Sequence, residues 1–259
     1  MTPPKSLSIL LLILASCLPG CEASGPRGDG PIPWSVIGTS REGRAIEAVT
    51  LGAGSPRVLV VGGIHGNEPE HAPAIAALLD RRPPVRHRAI IRVIRDINPD
   101  GGAAGTRGNA AGVDINRNWP ASNFQPSATH GPEPMSEPET ARLHAEIMAF
   151  KPDLLVVLHS IASGPFVNHD GPAEKPAGAF VAAASTTDPR WHVRPSMGYA
   201  TPGSLGTWAG VDRHIPTLTV EFDRGHDPRL AGVAFVDGLT AVIKAWRPDV
   251  DASAILPDL

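Results

Sequence analysis

The chain has 259 residues, 42% hydrophobic and 19% charged, with a formal net charge of -3 and a pI near 6.4. That length and apolar fraction suit one large α/β domain with a sizeable core and exclude a disordered chain. The charge balance excludes the basic face of a nucleic-acid binder, and no long like-charge run offers an interaction tail.

Residues 1–21 read as an export signal. Lys5 precedes the apolar run Leu7–Ala15, which is too short to span a bilayer as a helix and suits a signal h-region. Two cysteines follow, in Leu14-Ala15-Ser16-Cys17 and Leu18-Pro19-Gly20-Cys21. Both tetrapeptides are similar to the lipobox of bacterial lipoproteins, in which the cysteine is lipidated and becomes the new N-terminus. Pro19 makes Cys17 the better candidate of the two. An ordinary cleaved signal with two incidental cysteines is the alternative. The expected location is the periplasm or cell envelope, with a lipid anchor as the only membrane attachment. The chain has no other cysteine, so its mature part has no disulfide framework and no thiolate metal ligand.

Residues 22–33 are rich in Gly and Pro and read as a flexible tether, followed by a domain over 34–250 and a tail over 251–259. Within the domain, Arg57–Ile64 is a predicted strand, followed by a helix from Pro69 to Asp80 with proline in its first turn. Ala89–Ile97 is a second strand, closed by the turn signal Asn98-Pro99-Asp100-Gly101. The Pro-rich stretch Ser122–Pro138 reads as a rim loop, and Glu137–Phe150 as a helix. Leu154–Leu158 is a short buried strand ending at His159, Ala177–Ala184 a helix, Thr217–Phe222 a strand containing Glu221, and Phe235–Trp246 a closing helix. The alternation predicts a single α/β domain with a mixed, largely parallel sheet flanked by helices. Its chemically interesting residues cluster at the C-terminal ends of strands, where open α/β sheets place their sites.

His65-Gly66-Asn67-Glu68 follows directly on the first of these strands. A histidine and a glutamate three apart at a strand end can hold one metal ion from a single turn. Imidazole and carboxylate both suit Zn2+, and a catalytic zinc needs one more protein ligand to leave a position for water. His159, at the end of an apolar strand, is the candidate third ligand. Taken alone, His159 reads equally as a core histidine satisfied by backbone. Asp114 taken alone reads as a turn or capping residue, and Arg107 and Arg117 as solvated side chains.

The segment Thr106-Arg107-Gly108-Asn109-Ala110-Ala111-Gly112-Val113-Asp114-Ile115-Asn116-Arg117-Asn118-Trp119-Pro120 adds the context. With His-Gly-x-Glu before it, Asn-Pro-Asp-Gly between, and a strand-end His and Glu after it, the chain resembles the zinc carboxypeptidase (carboxypeptidase A-like) family. The likeness is to its bacterial murein-peptide amidase branch and extends over about residues 34–246. The resemblance implies one zinc ion held by His65, Glu68 and His159, with Asp114 hydrogen-bonded to the first histidine. It implies that Glu221 takes a proton from the attacking water and returns it to the leaving amine, while Arg107 stabilises the developing oxyanion. Asn116 and Arg117 would grip the substrate's terminal carboxylate, and Tyr199 would close over bound peptide. For Tyr199, the chain's only tyrosine, a packing aromatic is the other reading.

The implied substrate is a cell-wall stem peptide, cut between γ-linked D-glutamate and diaminopimelate. A general zinc carboxypeptidase and an N-acyl amino acid deacylase of the same fold are the near alternatives. A non-catalytic cell-wall-binding lipoprotein is the remote one, disfavoured because Glu221 and every ligand candidate are present. Asp212, Arg213 and Asp223 are candidates to reach the far end of diaminopimelate, and His169 and His226 to line the cleft.

Overall fold

A computed structural model of the protein describes residues 32–81 and 89–246; the expected signal, Cys17, Cys21, nearly all of the tether and the tail lie outside them. Eight strands form one sheet: β1 (Ser35–Thr39), β2 (Ala45–Gly52), β3 (Arg57–Val61), β4 (Ile90–Ile94), β5 (Leu154–Ile161), β6 (Phe166–Asp170), β7 (His192–Val193) and β8 (Thr217–Asp223). Their order is β1-β2-β4-β3-β5-β8-β6-β7. The centre, β4-β3-β5-β8, is parallel, and β2 and β6 join it antiparallel on either side. The sheet is thus mixed with a parallel heart, as the alternation of elements predicts.

The central strands are runs of Val, Leu and Ile because both of their faces are covered. On one face lie α1 (His71–Arg81), α4 (Glu174–Ala184) and α5 (Pro228–Ala245), which bring Ile75, Leu78, Phe180, Phe235 and Leu239 into one core. On the other lie α3 (Pro138–Phe150) and a π-helical segment, Thr207–Asp212, around Trp119, Leu143, Ile147 and Trp208. Asp227 caps α5 by accepting from the Arg229 N–H, with Pro228 at the first helical position, where its missing N–H costs nothing. No described helix is long and apolar enough to cross a membrane.

Several boundaries differ from the sequence expectation. Asn98-Pro99-Asp100-Gly101 is not a simple turn: Asn98 caps a short helix, α2 (Pro99–Ala104), which ends at Gly105 in the left-handed region. The closing helix begins at Pro228, seven residues before Phe235, and His159 lies within β5 rather than beyond it. β1, β2, β6 and β7 carry no long apolar run and have no counterpart among the predicted strands.

A candidate zinc hydrolase site

Three parallel strands deliver the site. β3 runs through Gly62, Gly63 and Ile64 into His65, and β5 and β8 are registered so that His159 pairs directly with Glu221. The His65–Glu68 turn closes with a Glu68 N–H to His65 carbonyl bond of 3.2 Å. Gly66 is required there: a Cβ would come within 1.9 Å of the Gly101 backbone in α2. Asn98, fully buried, donates to the Ile64 carbonyl at 3.2 Å and so ties α2 to the start of the turn. The ring of His71 donates to the Glu68 carbonyl at 2.8 Å, fixing the other end.

The side chains of His65, Glu68 and His159 converge, all buried. Glu68 Oε1 lies 2.9 Å from His65 Nδ1, and Oε2 lies 2.9 Å from His159 Nδ1. The two Nδ1 atoms face each other at 3.1 Å. A tetrahedral zinc with bonds of about 2.0–2.1 Å holds its ligand atoms about 3.3 Å apart, so this donor set fits the ion closely. The tautomer also fits: His65 Nε2 is engaged by Asp114 Oδ1 at 3.0 Å, which places the proton on Nε2 and leaves the Nδ1 lone pair for a metal. Burial alone would raise the Glu68 carboxyl, but the imidazoles of His159 and His65 outweigh it and hold Glu68 far below the usual carboxylate range. Asp114 is likewise held down, its burial outweighed by the hydrogen bond to His65 and the charges of Arg107 and Arg117.

Glu221 is 6% exposed beside His159, and no hydrogen bond reaches its carboxylate among the described residues. Burial raises its carboxyl above the ordinary value, with Glu68 adding repulsion against the pull of the two histidines. A carboxylate shifted upward is a stronger base than an ordinary one.

Arg107 reaches two acids of the site, with Nε donating to Asp114 at 2.9 Å and Nη1 lying 3.5 Å from Glu68 Oε1. Asn116 Nδ2 lies 3.4 Å from His159 Nε2, while Asn116 Oδ1 accepts from the Leu205 N–H at 3.0 Å, so this amide also anchors the loop before the π-helical segment. Arg117 donates to the Asn116 carbonyl at 2.8 Å, and burial lowers its affinity for a proton against the pull of the Asp114 carboxylate. Tyr199, 55% exposed, does not pack into a core and stands on the Arg117 side of the site.

Other candidates are held elsewhere. Asp212 accepts from the Ser122 backbone and hydroxyl, Arg213 stacks over Trp208, and Asp223 pairs with Arg190 at 2.6 Å. His226 is buried with Nε2 3.0 Å from Asp188, so it does not line a cleft; His169 has a buried Nδ1 without a partner. Three contributors had no sequence signal: His71, Ser160, whose N–H donates to Glu68 Oε2 at 3.1 Å, and Arg224, 3.8 Å from Glu68 Oε1. The fold brings Ser160 and Arg224 to Glu68, whereas His71 lies one turn beyond it in sequence.

Comparison with known proteins gives the family and the fold. The zinc carboxypeptidase family profile matches residues 33–212, which include His65, Glu68 and His159 and end short of Glu221. Murein peptide amidase A of Escherichia coli K12 is 30% identical over 207 residues, covering 71% of this chain and 81% of that protein. The crystal structure of murein-tripeptide amidase from Escherichia coli O157 superposes with a TM-score of 0.65 at 25% identity, over 87% of this chain and 98% of that one. Carboxypeptidase A of Helicoverpa armigera shares the fold, with a TM-score of 0.64 at 20% identity over 83% of this chain and 69% of that one. The chain is a hydrolase with zinc as its cofactor and belongs to the zinc carboxypeptidase family.

Proposed function

We propose that the protein hydrolyses the amide between γ-linked D-glutamate and diaminopimelate in cell-wall stem peptides. The observation that carries the hydrolytic part is the convergence of His65, Glu68 and His159 beside an unpartnered, buried Glu221. The relatives named for murein peptides supply the substrate class.

When bound, zinc polarises the attacking water and the scissile carbonyl. Glu221 takes the water's proton and passes it to the departing amine; its elevated affinity for a proton makes both transfers feasible at one pH. Arg107, anchored through Nε to Asp114, turns its outer guanidinium nitrogens toward the oxyanion that develops. Arg117 and Asn116 receive the carboxylate of the amine-side residue, and Tyr199 covers it from the solvent side.

Mass spectrometry of products tests the substrate. Purified protein offered the murein tripeptide is expected to release diaminopimelate, and chelation is expected to stop the release. Liberation of ordinary C-terminal residues from standard peptides, with the tripeptide untouched, would make it a general carboxypeptidase instead.

Export and lipid attachment complete the proposal. The run Leu7–Ala15 before Cys17 and Cys21 supports it, since an envelope location puts the enzyme beside its polymer. Radiolabelled palmitate should enter the wild type and be lost in Cys17→Ser. An unlabelled, soluble product would establish the cleaved-signal alternative.

A further inference from the structure

Arg224 stands in the loop after β8, three residues beyond Glu221, and the hydrolytic roles above leave it unused. Its backbone is pinned on both sides. The Arg224 N–H donates to the Ile161 carbonyl at 3.2 Å, the Gly225 N–H to Glu70 Oε1 at 3.3 Å, and the His226 N–H to the Asp223 carbonyl at 3.0 Å. Gly225, at φ +75°, makes the reversal possible. The side chain by contrast is 46% exposed, with its guanidinium 3.8 Å from Glu68 Oε1.

Nearby acids are already committed. Asp223 pairs with Arg190, and Glu70 accepts from Ser160 and Gly225. Glu68 is the only ion-pair partner of Arg224 among the described residues, and that carboxylate belongs to the metal. Arg224 is therefore a preorganised cation at the metal centre without an anion of its own.

Charge and position say which anion it awaits. With Arg117 placed for one carboxylate and Arg224 carrying no anion of its own, the site favours a substrate with two carboxylates. Arg117 takes the first, on the amine side. Arg107 and Arg224 both reach Glu68 Oε1, but Arg107 is tied to Asp114 while the Arg224 loop is tied to Ile161 and Glu70. With Arg117 assigned to the amine side, the carboxylate that Arg224 would take is assigned to the acyl side. An ordinary peptide has none close to the scissile carbonyl there, but a γ-linked glutamyl group carries its free α-carboxylate a few bonds away.

We propose that Arg224 is a specificity residue that binds a free carboxylate on the acyl side of the scissile amide, selecting γ-glutamyl bonds over α-peptide bonds. The proposal rests on the murein-amidase reading. A guanidinium suits the role because its planar fork can hold a carboxylate through two bonds.

The test compares L-alanyl-γ-D-glutamyl-diaminopimelate with the same tripeptide carrying an α-carboxamide on its glutamyl residue. Wild type, Arg224→Gln and Arg224→Lys are assayed by product mass spectrometry, and zinc content is measured for each. The wild type should favour the free acid by roughly 10–100-fold in kcat/KM, the worth of a hydrogen bond to a charged group. Arg224→Gln should erase that preference by slowing only the free acid, with zinc content unchanged, and Arg224→Lys should keep part of it. Equal wild-type cleavage of both peptides overturns the proposal. So does a parallel loss on both in Arg224→Gln, or loss of zinc, which would place Arg224 as a support for Glu68. Cleavage of neither peptide by the wild type would bring down the amidase reading with it, whereas indifferent cleavage of both overturns Arg224 alone.

Discussion

His65 has a carboxylate on each ring nitrogen, Glu68 at Nδ1 and Asp114 at Nε2, and the two have different work. Asp114 fixes the tautomer and also anchors Arg107, so one side chain positions a candidate metal ligand and the arginine proposed to face the oxyanion. Asp114→Asn should lower zinc affinity about 10–100-fold, the usual worth of such an outer partner, measurable by competition with a chelating dye. Affinity equal to wild type would show that Asp114 does not orient the ring. Glu221→Gln should lower kcat about 10²–10⁴-fold with zinc still bound, because the base is lost and the ligands are untouched. Retained turnover would remove Glu221 from the mechanism. These residues were legible from the ordered run of motifs between His65 and Glu221. Arg224 and Ser160 were not, because each meets Glu68 only through the fold, and His71, one turn beyond Glu68, sits in no distinctive local pattern. Asp212, Arg213 and Asp223 were legible as charges but not as charges already paired.

At the scale of elements, the chain's apolar runs reveal the sheet's centre and conceal its margins. β3, β5 and β8 are built mainly of Val, Leu and Thr because helices or loops cover both faces, and such runs mark strands by themselves. β6, Phe166–Asp170, has three polar residues in five, and β7 is two residues long, so neither carries a readable period. Asn98 was read as part of a turn because an Asn-Pro pair starts turns and helix caps alike. Its real position joins elements: it accepts from the Gly101 N–H to cap α2 and donates to the Ile64 carbonyl just before His65. Asn98→Ala should cost about 1–3 kcal/mol of stability in denaturant unfolding, since a buried carbonyl loses its partner and a helix its cap. A change below that range would mean that α2 is held by other contacts. The Gly66 backbone against Gly101 makes a second such joint, with no room for a methyl group.

Over the whole molecule, the buried acids and imidazoles link folding to metal and pH. In the metal-free protein His65 is raised: burial lowers it, but Asp114 and Glu68 more than compensate. A raised histidine stabilises the fold below its ordinary value of 6.5 and loses that contribution as pH climbs through the raised value. Glu221, also raised, acts in the same direction, because the fold favours its protonated form and loses by its ionisation. Glu68 and Asp114 are lowered and contribute only above their ordinary carboxylate values, a contribution lost in strong acid. The chelated protein should therefore melt lower at about pH 9 than at about pH 6, and zinc should raise the melting point most at the higher pH, where it replaces the missing proton. Equal melting points across that range would show that these groups are not coupled to folding.

Zinc stoichiometry by elemental mass spectrometry, on wild type, His159→Ala and Glu221→Gln purified alike, tests the central claim most directly. One zinc per chain is expected in the wild type and in Glu221→Gln, and far less than one in His159→Ala, which lacks the third ligand. Full zinc in His159→Ala, or none in the wild type, would contradict a site built from His65, Glu68 and His159.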